Sequence, residues 1–369
     1  MRLRTSLILL LSFLMIALKG QEWKPQNGVN DPRAHYTAFI NANIYLGDGQ
    51  YLSNASLLIQ KKKIIDVGET LILPPNTVKH DLNGKFIYPS FIEINSDFGM
   101  PEVNVKSSNA PQLESLKKGP YFWNETIKAE QEAVEMYTYQ ESAAERYRKM
   151  GFGTVVTHQM DGIVRGTSAA LTLTDEEEHQ LLKSHAAMHY SFYKGKSKQT
   201  NPNSLMGIIS LIRQLHYDLD WYLQQEKSDK NNLTLNALEK HQSLPKVIDA
   251  GNTLSELRAD LVGDEFNFQF IIKGIGQEYE RIEEIKNTEA SFIVPINFPK
   301  PYDVSDPFDA KQLSLATMKE WESADENLVH LHKAGISFAI TSTDLKDAKS
   351  FHENIERAIQ KGVRREKII

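Results

Sequence analysis

Several polar residues stand where stretches that read as β-strands end. They are Asn95 and Asp97 after Phe91–Ile94, His158 after Thr154–Thr157, Asp249 closing Val247–Asp249, Lys273 after Phe268–Ile272, and Asp344 after Ser337–Thr341. Carboxylates, an imidazole and an amine on one rim can shuttle protons, hold a hard cation through oxygen, or bind an anion. Each residue alone serves equally well as a loop or cap: Asp344 can cap a helix, and Asp249 can accept backbone hydrogen bonds before Gly251. The set says more than any member, because acids end several strands at the same expected rim. Arg165-Gly166-Thr167-Ser168 suits either an anion contact or a turn. His185 and His189 lie four apart and share a face of either a helix or a strand, a spacing more common in packing or surface histidines than in ligands. The chain has no cysteine, so thiolate metal sites, disulfides and cysteine nucleophiles are excluded. Any metal site must use His, Asp, Glu, Asn or a modified Lys.

A shared rim requires parallel strands with helices between them, and the second half of the chain supplies that pattern. Strand Val247–Asp249 precedes helix Thr253–Phe266, and strand Phe268–Ile272 precedes helix Glu278–Lys286. Strand Ser291–Pro295 precedes helix Leu313–Ala334, and strand Ser337–Thr341 precedes helix Ala348–Lys361. Upstream lie helix Glu130–Met150, ended by Gly151, and strands at Thr154–Thr157, Ala169–Thr174 and Ala187–Phe192. Ser204–Gln225 is a long amphipathic helix with Leu205, Ile208, Ile212 and Leu215 on one face. The expected fold is α/β, a (β/α)8 TIM-like barrel over residues 91–369, with a doubly wound sheet as the alternative. Residues 35–90 read instead as short strands and turns, a small β domain. Tyr36–Tyr45, Ala55–Gln60 and Ile64–Val67 come first, and Val78–Leu82 and Lys85–Tyr88 flank Asn83-Gly84 as a hairpin. Gly274-Ile275-Gly276 lacks the third glycine of a phosphate-binding loop.

The charge balance, Lys+Arg 42 against Asp+Glu 48 for a net −6 over 369 residues, argues against a nucleic-acid partner. With 41% apolar and 24% charged residues there is material for a large core. Residues 1–20 place Arg2 and Arg4 before an apolar run from Leu7 to Leu18, the layout of a secretory signal peptide. That run is short of the roughly 20 residues a membrane span needs. Residues 21–34, polar with two prolines, read as a linker. The expectation is an exported protein, periplasmic or extracellular, without a membrane span after processing.

Residues 84–93 (GKFIYPSFIE) resemble the Gly-Lys-x-x-x-Pro-Gly-Phe-Ile-Asp stretch of the amidohydrolase superfamily. Leu58-Ile59 followed by Lys63-Ile64-Ile65-Asp66-Val67-Gly68 looks like that superfamily's N-terminal β-sandwich, and Ser337–Asp344 (SFAITSTD) resembles its eighth barrel strand. Residues 245–296 are similar to strands five to seven of the imidazolonepropionase-like branch. Residues 162–173 and 204–222 look like secreted bacterial members of it. The resemblance implies hydrolysis of non-peptide carbon–nitrogen bonds, such as cyclic amides, by metal-activated water. It also implies a small-molecule substrate and a composite β-sandwich domain. In the family a His-x-His ends strand one, single His residues follow strands five and six, and an Asp follows strand eight; that Asp moves the proton of the metal-bound water.

On that pattern Asp344 holds the catalytic position, but Asn95, Asp97, Asp249 and Lys273 occupy the places of the imidazole ligands. Three readings stay open. In the first, the metal is gone and Lys273 sits among Asp97, Asp249 and Asp344 as an internal counter-ion; this ranks first. In the second, the acids and Asn95 make an oxygen-only site for Mg²⁺ or Ca²⁺ rather than Zn²⁺. In the third, the register differs and His158, His185 or His189 supply ligands. Arg165 and His158 are the expected substrate-binding residues. Family members also continue past strand eight into return strands that complete the β-sandwich. This sequence ends at Ile369, so it is expected to be a truncated module beside a second amidohydrolase module or another copy of itself. Non-catalytic binding or scaffolding is the alternative function.

Overall fold

A computed structural model describes residues 36–365, except 48, 62, 105–110, 176–179, 227, 229 and 346. The expected export segment (1–20) and linker (21–34) lie outside the described residues. The described chain divides into two units. One holds the residues up to Tyr45 together with Tyr51–Ile87, and the other holds Leu46–Gln50 and everything from Tyr88 onward.

The first unit is a five-stranded sheet. Its strands are β1 (Tyr36–Tyr45), β2 (Tyr51–Gln60), β3 (Lys63–Gly68), β4 (Val78–Asp81) and β5 (Phe86–Ile87). The order is β3-β2-β1-β4, with β5 also on β1. Strand alternation buries Ala38, Ala42 and Ile44 of β1 on one face, where the ladder sets Leu58 opposite Ala38 and Ala55 opposite Ala42. The hairpin expected at Asn83-Gly84 does not form. Both β4 and β5 run parallel to β1, Val78–Asp81 beside Thr37–Ile40 and Phe86–Ile87 beside Asn43–Ile44. Asn83 and Gly84 take left-handed backbone angles (φ 48° and 77°), and Gly84 N donates to Asn41 O at 2.7 Å. The turn therefore kinks the edge strand and returns it to the same neighbour instead of reversing it.

The second unit carries β6 (Phe91–Ser96), β7 (Phe152–Thr157), β8 (Val164–Thr167), β9 (Ala169–Thr172), β10 (Leu181–Lys183), β11 (Met188–Ser191), β12 (Lys246–Gly251), β13 (Phe270–Gly274), β14 (Ser291–Pro295) and β15 (Phe338–Thr341). Strands β11 to β15 are parallel neighbours in chain order, and β6 pairs parallel with β7. This is the mixed α/β class expected from the βα alternation. Among the described residues the ladders form two sheets, β10-β9-β7-β6 and β15-β14-β13-β12-β11-β8, rather than one closed ring. The reason is local. Between β7 and β11 the strands turn back on one another: β9 pairs antiparallel with β7 while β8 pairs antiparallel with β11.

The two sheets nevertheless share an apolar centre, where Ile94 of β6 packs with Val247, Ile271 and Ile293 of β12 to β14. Side chains also link β15 to β6. The Glu93 carboxylate accepts from Thr341 Oγ1 (2.6 Å), Ser342 N (2.7 Å) and Ser342 Oγ (2.6 Å). Burial raises the Glu93 pKa against these hydrogen bonds, which lower it.

Helices cover the outer faces. Helix Leu205–Leu223 starts where Ser204 Oγ accepts from Gly207 N, and it buries Ile208, Leu211, Ile212, Leu215 and Leu219. Each such side chain contributes about 1.5–3 kcal/mol when fully buried. The helix expected over residues 130–150 is interrupted. It forms as Ala133–Met136 and Glu141–Met150, because the Thr138 amide donates to Gly99 O at 2.8 Å instead of continuing the helix. No helix among the described residues is long and apolar enough to cross a membrane.

Behind β13 two carboxyl groups are fully buried: Glu256 on helix Thr253–Glu265, and Glu278, which opens the 3-10 turn Glu278–Arg281. Both reach Gly274, where an added Cβ would stand 2.1 Å from Glu278 Oε1 and 2.3 Å from Glu256 Oε1. Asn327 Nδ2 donates to Glu278 Oε2. Burial, reinforced by the Glu278 carboxyl, pushes the Glu256 pKa up to about 10, and burial raises that of Glu278 as well. The pair holds at least one proton at neutral pH.

Candidate functional site at the C-terminal ends of the parallel strands

Strand alternation explains which residues reach the rim. Val247, Ile271 and Ile293 face the apolar centre. Two positions further on, Asp249 and Lys273 face the same way at the C-terminal ends of β12 and β13, directly paired in the ladder. Lys273 Nζ lies 3.4 Å from Asp249 Oδ1. Arg165, on β8, places both Nη1 and Nη2 3.4 Å from Asp249 Oδ2 and donates to Ser191 Oγ at 2.8 Å. One carboxylate thus faces two cations. The Arg165 side chain is only 6% exposed, and burial lowers its pKa against the opposing pull of Asp249.

His158 follows β7, with its backbone N donating to Ser96 O at 3.0 Å. Its ring stacks on that of His189 with centroids 3.6 Å apart and planes 17° apart. Both rings are buried. Neither His158 ring nitrogen, nor His189 Nε2, has a hydrogen-bond partner in the protein. Burial, then His189 and Arg165, hold His158 well below the usual imidazole range, and burial with Arg165 lowers His189 to about 3. Two neutral rings therefore lie within the field of the Arg165 guanidinium.

Asn95, Asp97 and Asp344 line a common cavity of about 450 Å³, with Arg146, Tyr147 and Thr343. Asn95 Nδ2 donates to Thr343 Oγ1 at 3.2 Å, which ties the end of β6 to the loop after β15. Asp344 sits at φ 68°, in the left-handed region, and is not a helix cap. That role belongs to Asp347, whose carboxylate accepts from Ser350 N at 2.8 Å.

The five positions singled out by resemblance thus fall into two groups: Asn95, Asp97 and Asp344 around one cavity, and Asp249 with Lys273 in an ion pair that is not part of that cavity's lining. Arg165 and His158, picked from sequence as substrate contacts, join the second group. The Asp249 carboxylate is already matched by two cations, which repel a third, and the nearby imidazoles stack on each other.

No protein-family model matches the chain, and no curated protein matches it. Solved structures do. An amidohydrolase from Thermotoga maritima MSB8 superposes with a TM-score of 0.69 at 20% identity, over 90% of this chain and 85% of that one. The chain has the amidohydrolase fold. An uncharacterized metal-dependent hydrolase from Pyrococcus furiosus (TM-score 0.47, 13% identity, 90% and 92% coverage) is a weaker likeness. So is a β-aspartyl dipeptidase from Fervidobacterium islandicum AW-1 (TM-score 0.46, 12% identity, 91% and 84% coverage); neither adds to the argument.

Within the amidohydrolase fold, one cluster lies away from this rim. His185 precedes β11 and His241 precedes β12, so both stand at the N-terminal ends of parallel strands, and both reach Glu132. Sequence reading singled out His185 but not Glu132 or His241. Burial raises the Glu132 pKa, but hydrogen bonds from Lys240, His185 and His241 outweigh it and bring the carboxyl down to about 2.

Proposed function

We propose that this chain is a non-catalytic binding module built on the amidohydrolase fold, and that its rim takes a small anionic molecule rather than a divalent ion. The observation that carries this reading is the Arg165–Asp249–Lys273 group, with two cations on one carboxylate and two uncharged imidazoles alongside. It leaves one positive charge in excess of the Asp249 carboxylate. Electrostatics there favour a carboxylate or similar anion, with Arg165 offering a planar fork to it. In this reading the strands make the eight-stranded barrel and β-sandwich of the superfamily, the protein is exported, and its partner is a second amidohydrolase module or another copy of the chain.

The second reading is hydrolysis of a carbon–nitrogen bond such as that of a cyclic amide, with Asp344 as the proton carrier. It is favoured by the shared cavity of Asn95, Asp97 and Asp344. One experiment separates the two. Thermal melts are recorded with a panel of small mono- and dicarboxylates, and cyclic-amide hydrolysis is assayed with and without added Zn²⁺. Binding predicts a carboxylate-dependent rise in Tm that Lys273→Met removes, with no turnover. Turnover abolished by Asp344→Asn would sink the binding reading.

A further inference from the structure

We propose that Glu132, His185 and His241 form a second metal site, for a divalent transition ion of the Zn²⁺ class, at the N-terminal ends of β11 and β12. Two imidazoles and a carboxylate come together there from segments separated by 53 and 109 residues. His185 Nε2 is 2.9 Å from Glu132 Oε2, and His241 Nε2 is 3.3 Å from Glu132 Oε1. The three ligand atoms all lie within 4.8 Å of one another. Around a tetrahedral Zn²⁺ with bonds of about 2.0–2.1 Å, neighbouring ligand atoms stand roughly 3.4 Å apart. Both contacts to Glu132 are within half an ångström of that spacing, one to each carboxylate oxygen, so turning the carboxylate and the two rings brings three ligands around one ion.

The surroundings suit a metal ligand set. Ser184 Oγ lies 3.0 Å from His185 Nδ1. A hydroxyl can accept as well as donate, so it can take the Nδ1 proton's hydrogen bond and leave the Nε2 lone pair free for an ion. The rings of His185 and His241 are 4.5 Å apart and tilted by 34°, so both edges turn toward the same carboxylate. Lys240 Nζ, 2.7 Å from Glu132 Oε1, competes for that oxygen, but its side chain is 59% exposed and can move into water. His185 is a quarter exposed, which gives an ion access. Two imidazole nitrogens and one carboxylate oxygen with a position left over match Zn²⁺, Co²⁺ or Fe²⁺. Ca²⁺ and Mg²⁺ require more oxygen ligands than are present. Because its ligands lie at the opposite strand ends, the site is separate from the rim of Asp249 and Lys273 and does not depend on what that rim binds.

The test uses the whole chain, stripped with chelator and desalted. Zn²⁺ is added alone, and bound metal is counted by mass spectrometry after a second desalting. Co²⁺ replaces it for visible absorption. The expected result is one Zn²⁺ per chain, a Tm rise of roughly 5 °C at a hundredfold excess over Kd, and Co²⁺ bands typical of low coordination. His241→Ala and the isosteric Glu132→Gln, each confirmed folded by circular dichroism, lose the bound ion, and Ser184→Ala weakens it about 10- to 100-fold. A wild-type chain that keeps no Zn²⁺ and gives no Co²⁺ absorption overturns the assignment without recourse to any variant. Zn²⁺ that survives both substitutions but is lost in Asp344→Asn overturns it too, because the ion then sits at the other rim.

Discussion

The buried Glu256–Glu278 pair makes a measurable demand on stability. A carboxyl whose folded-state pKa is raised contributes stability that is fully present below the unfolded value, 4.5, and is lost as pH rises toward the folded value, about 10 for Glu256. Through that window the folded chain holds a proton that the unfolded chain has released. One retained proton tilts stability by about 1.4 kcal/mol per pH unit. Glu256→Gln keeps the shape of the side chain and removes the ionisation. Relative to wild type, the variant should therefore gain stability as pH rises, by up to about 4 kcal/mol between pH 6 and pH 9. In the variant Glu278 keeps its Asn327 donor, and the introduced amide can donate to it where the shared proton did, so Glu278 ionises without holding a proton of its own. Urea unfolding of both proteins at pH 6, 7, 8 and 9 reads the difference directly, and groups common to both cancel. Parallel curves would show that the pair is not buried with a shared proton, and the packing of both carboxyls on Gly274 would have to be wrong.

Three further outcomes follow from geometry already described. Glu93→Ala leaves the Ser342 amide, the Ser342 hydroxyl and the Asn95 amide without their acceptor, and should cost roughly 3 kcal/mol or more in urea unfolding; a loss under about 1 kcal/mol would mean the carboxylate does not join β15 to β6. Imidazole NMR should find His158 and His189 neutral from pH 8 to pH 5, with stability lost as pH falls below 6.5, because the unfolded chain takes up protons that the buried rings exclude; titration of either ring near 6.5 contradicts the stacked arrangement. Gly166→Ala places a Cβ 2.0 Å from the Gln131 carbonyl oxygen at φ 82°, and should lower stability by about 2 kcal/mol or more, whereas an unchanged urea midpoint would refute that close approach.

Much of the architecture is legible in the sequence because it is local. Alternation of residues set the strand from Tyr36 to Tyr45, the succession of strand and helix set the strand from Ser291 to Pro295, and 3.6-residue spacing set helix Leu205–Leu223. The misses are places where distant groups intervene. Gly99, far along the chain from Thr138, takes the amide that would have continued a helix through residues 137–140. Asn83-Gly84 has hairpin chemistry, but β1 offers its edge to both flanking strands. At the rim, residues ending parallel strands could be picked without coordinates, since strand direction alone puts Asp249 and Lys273 side by side. Their partition into two groups could not, because Arg165 reaches Asp249 across 84 residues. Glu132 and His241 carry no spacing signal at all, and Glu256 and Glu278 look in sequence like any helix-surface acids.

Among the described residues, β15 and β6 meet through the Glu93 carboxylate, with no peptide ladder between them. A laddered wall yields only when several main-chain bonds break at once. A wall fastened by a few side-chain bonds behaves as a clasp, and native-state hydrogen exchange should find a low-energy opening there. Asn95 and Thr343 stand beside that clasp on the lining of the cavity. Molecules of a size to enter that cavity would meet this seam, and its breathing would bear on how fast they come and go.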